Sequence, residues 1–171
     1  MDFSNLQVSA EQLPKAEEVQ LTPIDVRYFR VLVYQKLIYW IILLIGMALA
    51  VYFLGKPGNL LSFIAAISCL FILVFADFRI SYLSFLNKKF AVRQHDIIYQ
   101  NGWLIKKLHI FPFNRIQHCS VNSGYFERKF SLSSLKLYTA GGSDSDISIP
   151  GLTDDQASRL RELVIEKNMA E

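Results

Sequence analysis

The run LIYWIILLIGMALAVYFLG, Leu37 to Gly55, is followed after Lys56-Pro57-Gly58-Asn59 by LLSFIAAISCLFILVFA, Leu60 to Ala76, and these two stretches decide how the chain is read. Neither run contains an Asp, Glu, Lys or Arg. At 1.5 Å of rise per residue they predict helices of roughly 28 Å and 25 Å, against a hydrocarbon core of about 30 Å. Each can span a bilayer. A four-residue link holding Pro and Gly is too short to cross it, so the spans are expected to be antiparallel neighbours with both flanking segments on one side. A helical hairpin buried in a soluble core would need far more surrounding chain than 171 residues provide.

Charge sets the side. Arg27, Arg30 and Lys36 precede the first run, and Arg79, Lys88, Lys89 and Arg93 follow the second, whereas the link offers Lys56 alone. Positive flanks favour the cytoplasmic face, so both termini are expected inside. Tyr28, Tyr34, Tyr39, Trp40 and Tyr82 stand where aromatic rings prefer the headgroup layer. The set Arg27, Arg30, Lys36, Trp40, Arg79, Lys88 and Lys89 therefore reads as the interfacial anchors. A secretory signal does not fit, because Glu11, Glu17, Glu18 and Asp25 lie ahead of the apolar run and no small-residue cleavage site ends it. The net charge of +3 is slight, and from Phe90 to Glu171 ten Lys or Arg nearly cancel nine Asp or Glu. This is no nucleic-acid stripe. Cys69 in the second run and Cys119 in an expected strand suit unpaired thiols in a reducing compartment.

Three segments follow. Residues 1–21 read as a loose polar tail, 22–89 as the transmembrane hairpin with interfacial extensions, and 90–171 as a cytoplasmic domain. Thr22-Pro23-Ile24-Asp25 predicts a helix start with Thr22 as N-cap. Beyond Phe90 the periodicity turns β-like. Ile97-Ile98-Tyr99, then Gln100-Asn101-Gly102, then Trp103-Leu104-Ile105 predicts a hairpin about Asn-Gly. Leu108 to Phe113, Arg115 to Val121, Leu135 to Thr139 and Asp146 to Ile149 supply further short strands, separated by Pro, Asn and Gly. Thr153-Asp154-Asp155-Gln156 is a capping box, and Ala157, Leu160, Leu163 and Val164 form one apolar stripe on the closing helix. The fold class expected is α+β: a two-helix transmembrane hairpin, then a pleckstrin-homology-like (PH-like) antiparallel barrel or sandwich capped by a C-terminal helix.

The ordered set Gly102-Trp103, Ile110 to His118, Gly124 to Leu132, Leu137 to Gly142 and Ile149-Pro150-Gly151-Leu152 resembles the bacterial PH-domain membrane proteins of the YdbS-like kind, which also carry two N-terminal spans. The resemblance covers Asp25 to about Val164. It implies a cytoplasmic PH-like domain on a membrane hairpin and no defined activity, and the expected location is a bacterial inner membrane. The family commonly has Gly where this chain has Ser131, so a positive φ there would cost Ser131 about 1 kcal/mol.

No reactive centre emerges. Ser133-Ser134-Leu135-Lys136 has the S-x-x-K spacing of serine acyl-enzymes, but it stands at a strand entry, where positions i and i+3 face opposite ways. His95, His109 and His118 lack ligand spacing, Asp144-Ser145-Asp146 lacks the rest of a calcium loop, and Gly141-Gly142 lacks a phosphate loop's Lys. Neither cofactor, metal nor small-molecule substrate is implied. What remains is binding. The candidates are Lys106 and Lys107 near the first hairpin loop, the basic residues Arg115, Arg128, Lys129 and Lys136, the turn Tyr125-Phe126, and the sheet edge. The reading is a non-enzymatic protein-binding or assembly module on the bilayer, its partner another membrane protein or a second copy. The alternatives are an anionic-lipid module or a subunit of a transport or self-protection complex.

Overall fold

Both apolar runs are helical: α1 spans Arg27–Leu54 and α2 spans Leu60–Leu86 in the computed structural model, which describes residues 19–54, 60–139 and 146–170. Only 6% of each apolar window is buried. A core helix of a soluble protein would be covered, so these surfaces are made for lipid. The predicted features at Gly141-Gly142 and Asp144-Ser145 lie outside the described residues.

The first helix begins later than expected. Thr22–Pro23 is not an N-cap and first turn but a two-residue strand, β1, antiparallel to β2 (Lys89–Val92) with Pro23 opposite Lys89. The cap is Asp25, whose Oδ1 accepts the backbone N–H of Arg27 at 2.8 Å. The hairpin of spans is thus inserted between two paired strands. β2 continues the sheet to β3 (Asp96–Asn101) and β4 (Lys107–Pro112), giving the order β1-β2-β3-β4.

The expected Asn-Gly hairpin is wrong in register. Trp103-Leu104-Ile105 is not a strand: Asn101 pairs with Lys107 across a five-residue loop, Gly102 to Lys106. A two-residue turn would have set Lys106 opposite Ile97 on the core face; the observed register sets Phe111 there and His109 opposite Tyr99. Burying an unpaired ammonium costs more than closing a longer loop. Gly102 keeps its special role, at φ +93°.

A 3-10 turn, Phe113–Arg115, leads to a second sheet of β5 (Ile116–Asn122), β6 (Leu132–Thr139) and β7 (Ile147–Thr153) in sequential antiparallel order. The two sheets stay separate, so the architecture is an open sandwich rather than a closed barrel. Between β5 and β6 lies a short helix that the turn signals concealed, α3 (Tyr125–Lys129). The closing helix α4 (Asp154–Ala170) starts on the predicted box: Gln156 N–H donates to Thr153 Oγ1 at 3.2 Å and Thr153 N–H to Gln156 Oε1 at 3.1 Å. It packs on β5, β6 and β7, with Ala157 and Val164 fully buried.

The core joins both sheets through Ile97, Tyr99, Phe113, Leu132, Leu135, Leu137, Ile149 and Leu152. It also takes in Ile24, Tyr28 and Val31, from β1's exit and the first turns of α1. Tyr28 is therefore a core residue and not an interfacial ring. Anchor and sandwich share one hydrophobic cluster.

Candidate functional site

The site is the junction where the spans enter the sandwich. Gly151 lets β7 approach α1: its carbonyl accepts Asp25 N–H at 2.9 Å, its φ is +69°, and a Cβ there would lie 2.9 Å from Tyr28 Cβ. Only Gly satisfies both demands. The Arg27 guanidinium grips Asp25 at 2.8 and 3.0 Å and reaches the Phe130 carbonyl at 3.3 Å. Through that bonding Arg27 holds the Asp25 carboxyl below its ordinary value. Lys88 lies 5.2 Å above the Tyr28 ring, and burial pushes its pKa down.

One level nearer the bilayer, α3 docks on α1. Tyr34 stacks on Phe126 (6.1 Å) and on Phe130 (5.8 Å), with Lys129 Nζ 5.6 Å above the same ring. Tyr34 is two residues, roughly 3 Å of helix rise, from Lys36. Lys36 forms an ion pair with Asp77, whose other oxygen accepts Trp40 Nε1–H at 3.1 Å. The sequence reading used Lys36 and Trp40 as anchors but missed Asp77 between them. The signal was present: Lys36 and Trp40 are one turn apart on one face, and Asp77 is the first charge after the second run. Arg30 and Arg79 are exposed.

The basic residues do not group as expected. Arg115, from the 3-10 turn, joins Lys107 and His109 of β4 around a cavity of about 380 Å³ between the sheets, which Asn101 and Asp146 also line. Nε2 of His109 is buried there without a hydrogen-bond partner, and burial, aided by Lys107, pushes the imidazole pKa down. Lys106 stands apart in the β3–β4 loop. Arg128 and Lys129 are exposed on α3 beside Tyr125, which is 72% exposed. Lys136 lies 3.9 Å from Asp146 and 4.6 Å above the Tyr138 ring. Glu127, beside Arg128, accepts Gly124 N–H at 2.8 Å and the Ser134 hydroxyl at 2.6 Å. Ser133 donates to Asp154 at 2.6 Å. Both serines of the S-x-x-K run therefore serve structural carboxylates.

Two lipid-facing helices thus leave a sandwich of four and three strands closed by a C-terminal helix. The Bacterial PH domain family profile matches residues 29–168. The chain belongs to the Bacterial PH domain family. This bacterial PH-domain chain is also 32% identical over 76 residues to UPF0699 transmembrane protein YdbS of Bacillus subtilis (strain 168). That match spans 44% of the chain and 46% of the relative, under half of its length. No solved structure matches. The protein is a YdbS-like bacterial PH-domain membrane protein.

Proposed function

We propose that this protein is a non-enzymatic binding module that uses its anchor to hold a free sheet edge at the cytoplasmic face of the inner membrane. The observation that carries the reading is β4. It is the terminal strand of its sheet, paired with β3 alone among the described residues, and its outward face presents Leu108 and Ile110, about 40% and 44% exposed. An open edge with apolar side chains is the template that β-strand addition uses. Because Ile24, Tyr28 and Val31 sit in the core, the edge is carried at a set height above the bilayer. Confinement raises its effective concentration for membrane-bound partners. The cytoplasmic placement is supported by the basic residues flanking both spans.

A photocrosslinking residue at Leu108, in native membranes, is expected to capture a discrete protein or a second copy, and Ile110→Lys to abolish that adduct. A probe at exposed Glu162 on α4 should not reproduce it. Equal capture at both positions, or none with intact protein present, refutes the reading. A second reading, contact with anionic lipid, is favoured by one feature: the docking of α3 on Tyr34, which brings Arg128 and Lys129 close to the Lys36 level.

A further inference from the structure

The β3–β4 loop, Gly102 to Lys106, exposes three consecutive large apolar side chains: Trp103 at 41%, Leu104 at 77% and Ile105 at 69%. We propose that this loop is a third membrane contact, inserting Trp103, Leu104 and Ile105 into the headgroup layer of the bilayer that the spans cross.

Three observations name lipid as the occupant. The first is placement. Lys89, three residues past the end of α2, pairs with Gln100 in β3, and Pro23, four residues before α1, pairs with Lys89. The loop therefore springs from the end of the sheet where both helices leave. The second is reach. From Asp77 to Leu86 the helix rises roughly 14 Å above the level of the Lys36 pair. The tip of a five-residue loop extends about 8 Å beyond its strands, and side-chain length together with a headgroup layer of about 5–7 Å closes the remainder. The third is chemistry. An apolar Trp-bearing tip backed by the exposed Lys106 and Lys107 has the polarity of an interfacial segment facing anionic lipid.

The loop is built to hold this display. Gly102 is at φ +93°, and a Cβ on it would lie 2.1 Å from the Ile105 carbonyl oxygen. The backbone closes on itself there. The insertion rests on the anchor's membrane reading and is independent of what binds β4.

The test uses the full chain, whose two tryptophans are Trp40 and Trp103. With Trp40→Phe, the protein is reconstituted in phosphatidylcholine–phosphatidylglycerol vesicles with or without acyl-chain-brominated lipid. Trp103 emission is expected to be blue-shifted, quenched about twofold by the bromolipid and shielded from aqueous acrylamide. Leu104→Asp with Ile105→Asp should abolish that quenching. Trp103→Phe reports on Trp40 alone, which must be quenched, so failure of the anchor is told apart from failure of the loop. Quenching of Trp40 without quenching of Trp103 overturns the proposal. So does a blue shift that varies with protein-to-lipid ratio without bromolipid quenching, since a second copy would then cover the loop. If Trp40→Phe disturbs the Asp77 contact, an environment-sensitive thiol dye on Leu104→Cys, in a Cys69→Ser, Cys119→Ser background, reads the same contrast.

Discussion

Ser131, two residues past the end of α3, has φ +53°, the left-handed region that a side chain enters at a cost of about 1–2 kcal/mol. The turn is required because Phe130 and Ser131 must reverse the chain from α3, docked on Tyr34, into β6. Ser131→Gly is expected to stabilise the protein by about 0.5–1 kcal/mol, read as a rise of about 1–4 °C in thermal midpoint in a fixed detergent. Ser131→Ala should bring no gain. Asp25 supplies a pH-dependent counterpart. Its carboxyl is held low in the folded protein by Arg27, so its contribution is complete above the unfolded value near 4 and disappears as pH falls through the folded value. Asp25→Asn keeps the cap and should flatten the midpoint's decline as the pH falls below the ordinary carboxyl value. Asp25→Ala should cost about 1 kcal/mol more than Asp25→Asn at neutral pH. The family resemblance marks position 131 in the sequence; nothing in composition marks Asp25 rather than Thr22 as the cap. Strand pairing of Thr22 with Phe90 decided that.

Among the elements, α3 is the one whose role follows from packing alone. Five residues cannot sustain a helix by propensity. Three features hold this one: Glu127 closing back on Gly124 N–H, Glu127 accepting Ser134, and the Phe126 and Phe130 rings on Tyr34. Tyr34→Ala should therefore loosen 123–131 selectively, giving faster protease nicking or amide exchange there while β3 and α4 stay protected. Tyr34→Phe should behave like the parent, because it keeps the ring. Gly151→Ala tests the other seam. A methyl group at 2.9 Å from Tyr28, on a residue at φ +69°, should cost at least about 2 kcal/mol and release α1 from β7. The strands β3 to β7 were legible from alternation and turn residues, whereas β1 and β2 were not, and Trp103-Leu104-Ile105, read as a strand, is a loop. The β3–β4 register was not, since only the demand to place Phe111 rather than Lys106 opposite Ile97 excludes the shorter turn.

For the whole molecule the decisive question is sidedness. Both helices leave one end of one sheet, and the proposed two-span topology puts the described residues outside the spans on a single side of the bilayer. The proposed cytoplasmic side predicts that Ser158→Cys, on an exposed position of α4 and in a background lacking Cys69 and Cys119, reacts with an impermeant maleimide in inverted vesicles and stays unlabelled in intact cells. Labelling in intact cells would reverse the orientation and remove the cytoplasmic partner reading with it.

Some properties were determined by the sequence alone, because they depend on local composition: two runs without charge must lie in lipid, and a capping box must start the last helix. The union of anchor and sandwich is of another kind. Tyr28, Val31 and Tyr34 read locally as the approach to a span. They become core residues and an aromatic dock only when β7, α3 and β6, about a hundred residues later, fold against them. The same holds for the cavity that gathers Lys107, His109 and Arg115, and for the exposure of Trp103 to Ile105. Burial depends on which distant surfaces meet, and only the tertiary structure decides that.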